Sequence, residues 1–222
     1  MSDKAEEGTV VLAHYQNKGR GQSGNFWESE RGKNILASII LFPEFIPAHQ
    51  QFYLSKITSL AIFDFLKSKI DNISIKWPND IYIGNRKIAG ILIENSVKGG
   101  YLSSTILGMG ININQQKFSK ELANPVSLKQ LLGKEYSIEE LAHQLIDQIF
   151  KWYHKLRTGQ LDEINESYLN HLYRKNVWSL FMKEGEKFEA RITGTNEYGQ
   201  LLLEDRKCNT KAYLFKEVEF IL

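Results

Sequence analysis

One cysteine, Cys208, is all that a chain of 222 residues contains. An internal disulfide is excluded, and no second thiolate lies near it in sequence to share a metal, so it reads as a strand or loop residue. The histidines, at 14, 49, 143, 154 and 171, are scattered, and no two have the helical spacing that sets a pair beside a carboxylate. A zinc site built from side chains is therefore not expected. Long apolar runs are missing too: the longest, 35–42, falls well short of the roughly 18 residues that a membrane-spanning helix needs. The start, MSDKAEEG, is too polar for a signal peptide. A cytoplasmic protein without a membrane partner is the expectation. Charge of one sign is also lacking, since 28 Lys plus Arg against 26 Asp plus Glu leave a formal +2. Any basic site must be local, because the chain as a whole does not attract nucleic acid or anionic lipid.

What is present fits a packed fold: 42% hydrophobic, 12% aromatic and 24% charged residues, with no repeats or low-complexity segments. The length allows one substantial core and a small appendage, since domains usually run about 100 to 200 residues. Residues 9–14 are rich in β-branched side chains and lead from a strand into a glycine-dense loop, 18–25. A second strand, 35–42, stops at Pro43, and Pro47 opens a long amphipathic helix with Leu54, Ile57, Leu60, Ala61 and Phe65 on one side. From Ile73 short apolar runs suggest strands, two of them separated by Gly84-Asn85 as in a two-residue hairpin, and 101–113 adds another. Ser137-Ile138-Glu139-Glu140 reads as a capping box before Leu141, Leu145, Ile149 and Trp152 at helical spacing, and 160–173 reads as one more helix. Beyond about residue 175 the pattern becomes strand-like, at 178–182, 187–192, 200–203 and 213–220. The fold class expected is α+β: a mixed or antiparallel sheet with helices on one face in 1–174, and a small β-barrel in 175–222.

Several local patterns can carry chemistry. Lys18-Gly19-Arg20-Gly21-Gln22-Ser23-Gly24-Asn25 interleaves glycines with cations, which suits wrapping phosphate or carboxylate oxygens and equally suits a solvated surface turn. Trp27 just beyond it is either core or a stacking surface for a base. In Lys76-Trp77-Pro78-Asn79-Asp80, Pro78 restricts Trp77 and creates a rigid kink. The kink presents a cation, an amide and a carboxylate, the last able to hold a phosphate-bound magnesium; the plain alternative is a proline turn with polar tips. Lys87 opens an apolar run, as a partner for a substrate carboxylate or as a snorkelling strand end. Gly90 lies within that run, but in a regular strand Lys87 and Gly90 face opposite ways unless the strand bends or bulges. In Leu107-Gly108-Met109-Gly110-Ile111-Asn112-Ile113-Asn114 the period of two puts the glycines and asparagines on one face and the apolar residues on the other, a core face backing a smooth wall.

GRGQSGNFW, KWPND, KIAGILIE and GMGIN follow one another in the order and character of the biotin protein ligase catalytic domain, and the chain resembles that family over nearly its whole length. The resemblance implies a class II aminoacyl-tRNA synthetase-like catalytic domain and an SH3-like C-terminal barrel. It implies an ATP-dependent ligase that forms biotinyl-5'-adenylate and pyrophosphate, then transfers biotin to a lysine of a biotin carboxyl carrier protein. Lys87 and Arg20 would be the catalytic residues. Gln16, Arg20, Gly21, Gln22, Lys87, Gly90, Leu92, Gly108 and Gly110 would surround biotin. Asn25, Trp27, Lys76, Asn79, Asp80 and Asn112 would serve ATP, with Asp80 reaching magnesium through the phosphates. ATP and Mg2+ are the cofactors implied, and because family members include dimers a homodimer is among the partners to consider.

Two departures stand out. Gln22 takes the place where some members carry a second arginine, which puts more of adenylate retention on Arg20 and Lys87. No Ser-Thr-Asn segment precedes the loop, so the expectation is either a start placed late or a shortened relative with an incomplete pocket. The same early start leaves no room for a helix-turn-helix domain, and DNA binding is not expected. A lipoate-type acyl-adenylate ligase and a non-catalytic relative that binds nucleotide or carrier are the alternatives.

Overall fold

Long antiparallel strands build the main sheet. The computed structural model describes residues 5–221, and the first part of the polar start, 1–4, lies outside them. Strand β1 (Val10–Leu12) is followed by a small hairpin of β2 (Gly19–Arg20) and β3 (Phe26–Trp27), and then by β4 (Asn34–Leu41), β5 (Ile73–Lys76), β6 (Asp80–Ile83), β7 (Arg86–Lys98) and β8 (Tyr101–Asn112). Six of these form one antiparallel sheet in the order β1-β4-β8-β7-β6-β5. Gly84 and Asn85 make the expected two-residue turn, with Ile83 opposite Arg86 and Gly84 at φ +58°, a conformation that costs glycine nothing.

Helices cover one face of this sheet. A short 3-10 turn, Ala48–Gln50, separates Pro47 from α1 (Phe52–Lys67), which lies against β5, β6 and β7 and is covered in turn by α3 (Ile138–Arg157) and α4 (Leu161–Asn170). Leu54, Ile57, Leu60, Ala61 and Phe65 are buried as their spacing requires, and so are Ile62 and Phe63 on other sides of the helix, because neighbours surround it. Lys56 is buried with them. Its Nζ donates to Asn165 Oδ1 at 2.7 Å and faces the rings of Phe52, Tyr53 and Tyr168. Burial pulls its pKa down to about 8.

Ser137 caps α3 by accepting the Glu140 N–H, which is half of the expected capping box. The reciprocal box occurs instead at α2 (Leu128–Leu132), where Ser127 Oγ accepts from Gln130 N–H and Gln130 Oε1 accepts from Ser127 N–H.

The last part of the chain forms a second antiparallel sheet from β9 (Trp178–Lys183), β10 (Glu186–Thr195), β11 (Leu201–Glu204), β12 (Thr210–Tyr213) and β13 (Glu219–Phe220), in the order β12-β11-β10-β9-β13. The single strand expected over 213–220 is corrected by this arrangement. Lys216 at φ +69° leaves the extended region, and Glu217 N–H bonds back to Leu214 O, so the chain turns and β13 returns to pair with β9. This sheet docks on the first through Trp77, whose indole N–H donates to Gly199 O at 2.8 Å. A β-carbon at Gly199 would lie 2.3 Å from Phe52 Cγ, so the close approach requires glycine. The apolar core runs without a break from one sheet to the other.

Candidate active site

The uncovered face of the first sheet carries the chemistry, and one cross-strand row organises it. Lys76 pairs with Asp80, Asp80 with Gly90, Gly90 with Gly110, and Gly110 with Leu36, so KWPND and both glycine segments meet in a single line across five strands. The kink expected in KWPND is a hairpin loop: Trp77-Pro78-Asn79 joins β5 to β6, and the Trp77–Pro78 peptide is cis. Asn79 fastens the loop to β7, donating through Nδ2 to Ile91 O at 2.7 Å while its own carbonyl accepts the Ile91 N–H.

Lys87 and Gly90 share a side because β7 bulges. Ile81 lies opposite Ala89 and Tyr82 opposite Lys87, which leaves Ile88 as the extra residue. The Lys87 ammonium consequently sits 3.4 Å from where a β-carbon of Gly90 would be. It forms an ion pair with Asp80 Oδ1 at 2.7 Å, so the residues assigned to nucleotide and to biotin touch. Backbone bonds to Asn124 and Val126 hold Lys87 from its other side. Lys76 Nζ donates to the Tyr82 hydroxyl at 3.2 Å and faces the Phe220 ring. Burial lowers the Lys76 pKa; Asp80 opposes that fall, and Lys87 and Arg174 add to it.

Above the glycine wall lies the β2–β3 hairpin. Gly19 pairs with Trp27, and Arg20 with Phe26. Trp27 rests on Gly90 and Gly110, while the Arg20 guanidinium reaches Glu94 Oε2 at 2.9 Å. Between hairpin, wall and second sheet lies a cavity of about 850 Å³. That volume lies within the range of small-molecule sites, roughly 300 to 1,000 Å³.

Gln16, Arg20, Gly21, Gln22, Asn25, Trp27, Lys76, Asn79, Asp80, Lys87, Gly90, Leu92, Gly108 and Gly110 all line this cavity. Asn112 does not. It is 3% exposed and its Oδ1 has no hydrogen-bond partner among the described residues. The sheet end beside it is closed by an amide network in which Asn34 Nδ2 donates to Gln115 Oε1 and Gln115 Nε2 donates to Glu28. The placement of Asn112 on the nucleotide rests on the resemblance alone. Sequence reasoning passed over Glu94, although it follows Gly90 and Leu92 at the period of two. It also passed over Ser38 and the Phe215, Glu219 and Phe220 side chains that line the cavity from the second sheet. No local pattern announces those, because docking brings them in.

Among the described residues no three His, Cys, Asp or Glu side chains converge to hold a metal ion. Asp80 is a lone carboxylate already paired with Lys87. Such a donor set suits a magnesium ion carried in on phosphate oxygens, which keeps most of its waters, better than a resident ion.

Known proteins share both sequence and architecture with this chain. The model of the Biotin/lipoate A/B protein ligase family matches residues 1–112. The bifunctional ligase/repressor BirA of Bacillus spizizenii is 30% identical over 216 residues, covering 96% of this chain; the chain spans 66% of that relative's length. The biotin--[acetyl-CoA-carboxylase] ligase of Paracoccus denitrificans is 30% identical over 196 residues, 84% of this chain and 76% of the relative. A biotin protein ligase of Aquifex aeolicus, solved in complex with biotin and ATP, superposes with a TM-score of 0.81 over 99% of this chain and 91% of its own, at 24% identity, and so shares the fold. A glycine wall, a KWPND hairpin and a lysine on a bulge thus stand in a chain that belongs to the Biotin/lipoate A/B protein ligase family.

Proposed function

We propose that the protein activates biotin with ATP and transfers it to a lysine of a biotin carboxyl carrier protein, with the catalytic domain in 1–174 and the barrel-like sheet in 175–222. The observation that carries this reading is the Lys87–Asp80 pair at the foot of the glycine wall, inside the cavity that also receives Arg20. In the first step a carboxylate oxygen of biotin bonds to the α-phosphorus of ATP, and pyrophosphate leaves with the electrons of the broken P–O bond. In the second the carrier amine bonds to the acyl carbon, AMP leaves, and the amine gives up a proton. Lys87 holds the carboxylate and stabilises charge on the reacting oxygens, while Asp80 fixes the direction of its ammonium. Lys76 and Asn79 stand on the side of the phosphates, and the β2–β3 hairpin with Arg20 and Gln22 closes over the adenylate. Asp80 would share a phosphate-borne magnesium, which neutralises phosphate charge. The Aquifex aeolicus relative solved with biotin and ATP supports the choice of substrates.

ATP–pyrophosphate exchange measured with biotin and with lipoate tests the reading. Exchange with biotin is expected, and about 100-fold or more is lost in Lys87→Ala, the scale on which a single electrostatic donor contributes. Exchange with lipoate alone overturns the choice of acid. Streptavidin-detected transfer to a carrier domain tests the second step, and a parent as silent as Lys87→Ala there overturns the ligase reading.

A further inference from the structure

A second pocket, of about 510 Å³, lies beside the outer edge of β5 and shares no lining residue with the cavity. The 171–173 segment runs along that edge, with the Ile75 N–H on His171 O and the Tyr173 N–H on Ile75 O, each at 2.8 Å. Asn72, at φ +60°, is tied to the Gly84-Asn85 turn by accepting the Gly84 N–H, and at Arg174, φ +55°, the chain turns toward the second sheet. Asn72, Ser74, Asn85, Asn170, His171 and Arg174 give the pocket its polar lining, and no Asp or Glu is among the residues around it. Acids and bases are nearly balanced over the chain, 26 against 28, so this one-sided lining is a local property.

The donors of this lining are unspent. The side chains of Asn72, Ser74 and Asn170 make no hydrogen bond among the described residues. Asn85 uses Oδ1 to accept the Tyr173 hydroxyl at 2.7 Å, which leaves its Nδ2 to donate. Arg174 gives one N–H to Ile221 O at 3.1 Å and keeps the rest of its fork. The His171 ring lies on Phe63 with centroids 3.8 Å apart. Amide, hydroxyl and guanidinium donors with no competing carboxylate suit an oxyanion that offers several acceptor oxygens. We propose that this pocket is a second binding site, for the phosphate group of a small molecule, seated on the segment that joins the two sheets. Arg174 supplies the charge, and Asn72, Ser74 and Asn85 supply the neutral donors.

Histidine ring signals in nuclear magnetic resonance, followed as inorganic phosphate is added to the whole chain at constant ionic strength, test this without any turnover. The His171 signals, identified by their loss in His171→Gln, are expected to shift saturably. Phosphate entering the cavity should leave them in place, because His171 does not line it. Burial and Lys67 hold the His171 pKa below its usual value while Asp64 opposes them, and a bound phosphate should raise it. Asn85→Asp keeps an acceptor for the Tyr173 hydroxyl and puts a carboxylate into the lining, so it should weaken phosphate binding about tenfold, the scale of one charge-assisted hydrogen bond lost. If Asn85→Asp does not fold, Asn72→Asp is read in the same way. The proposal is overturned by the absence of a saturable shift at His171, by a shift that sodium chloride reproduces at the same ionic strength, or by equal phosphate affinity in the parent and a folded variant.

Discussion

Strands β7 and β8 present two unlike faces. On the side of the helices, Leu107, Met109, Ile111 and Ile113 are at most 4% exposed and pack with α1 and its neighbours. On the other side, Gly90 and Gly110 leave room for the Trp27 ring, and the same cavity holds Arg20 with Glu94 and Lys87 with Asp80. A single backbone therefore serves opposite demands, and the period of two keeps them apart. Apolar volume is what stability needs on one side, and empty space is what chemistry needs on the other.

The largest effect that can test this division is on the covered face. Ile111→Ala should lower unfolding free energy by about 2–5 kcal/mol, the usual range for a buried aliphatic truncated in a core. Denaturant titration checks it, and a loss as small as that of a surface change would break the comparison. The covered side also holds one cation, Lys56, whose pKa is about 8 instead of 10.5. Between those values the unfolded chain keeps a proton that the folded chain has released, so stability rises with pH across that window and not below it. The rise amounts to at most about 1.4 kcal/mol per pH unit. Lys56→Met should flatten it, which unfolding measured at several pH values would show. The smallest effect belongs to the open face. Glu94→Gln removes the partner of an exposed Arg20, a pair worth about 0.2–1 kcal/mol, so adenylation should fall at most about five-fold. The difference from the parent should shrink as salt is raised; a fall that ignores salt would assign Glu94 a role other than holding Arg20.

The parity of 107–113 was legible in the sequence because a strand enforces it locally, and the burial of α1 followed from its spacing in the same way. Lys87 and Gly90 were not legible as neighbours, since their shared side depends on how β6 registers against β7. Trp27 offered two readings, core or base-stacking surface, and the structure places it on a glycine niche far away in the chain. The 213–220 segment misled because a turn through Lys216 at positive φ leaves no mark in apolar content. The box at Ser127 and Gln130 was written plainly in SLKQLLG and went unread beside the stronger pattern at Ser137.

Ile88 gives β7 two phases of alternation. The residues after the bulge, from Ala89 to Glu94, take their phase from β8, where the core fixes it. Lys87 takes its phase from β6 on one side and from the 124–126 segment on the other. The hold on the ammonium and the packing of Ile91, Met109 and Ile111 therefore rest on different backbone partners. The reach of the cation and the integrity of the core can vary independently, as two settings on one strand.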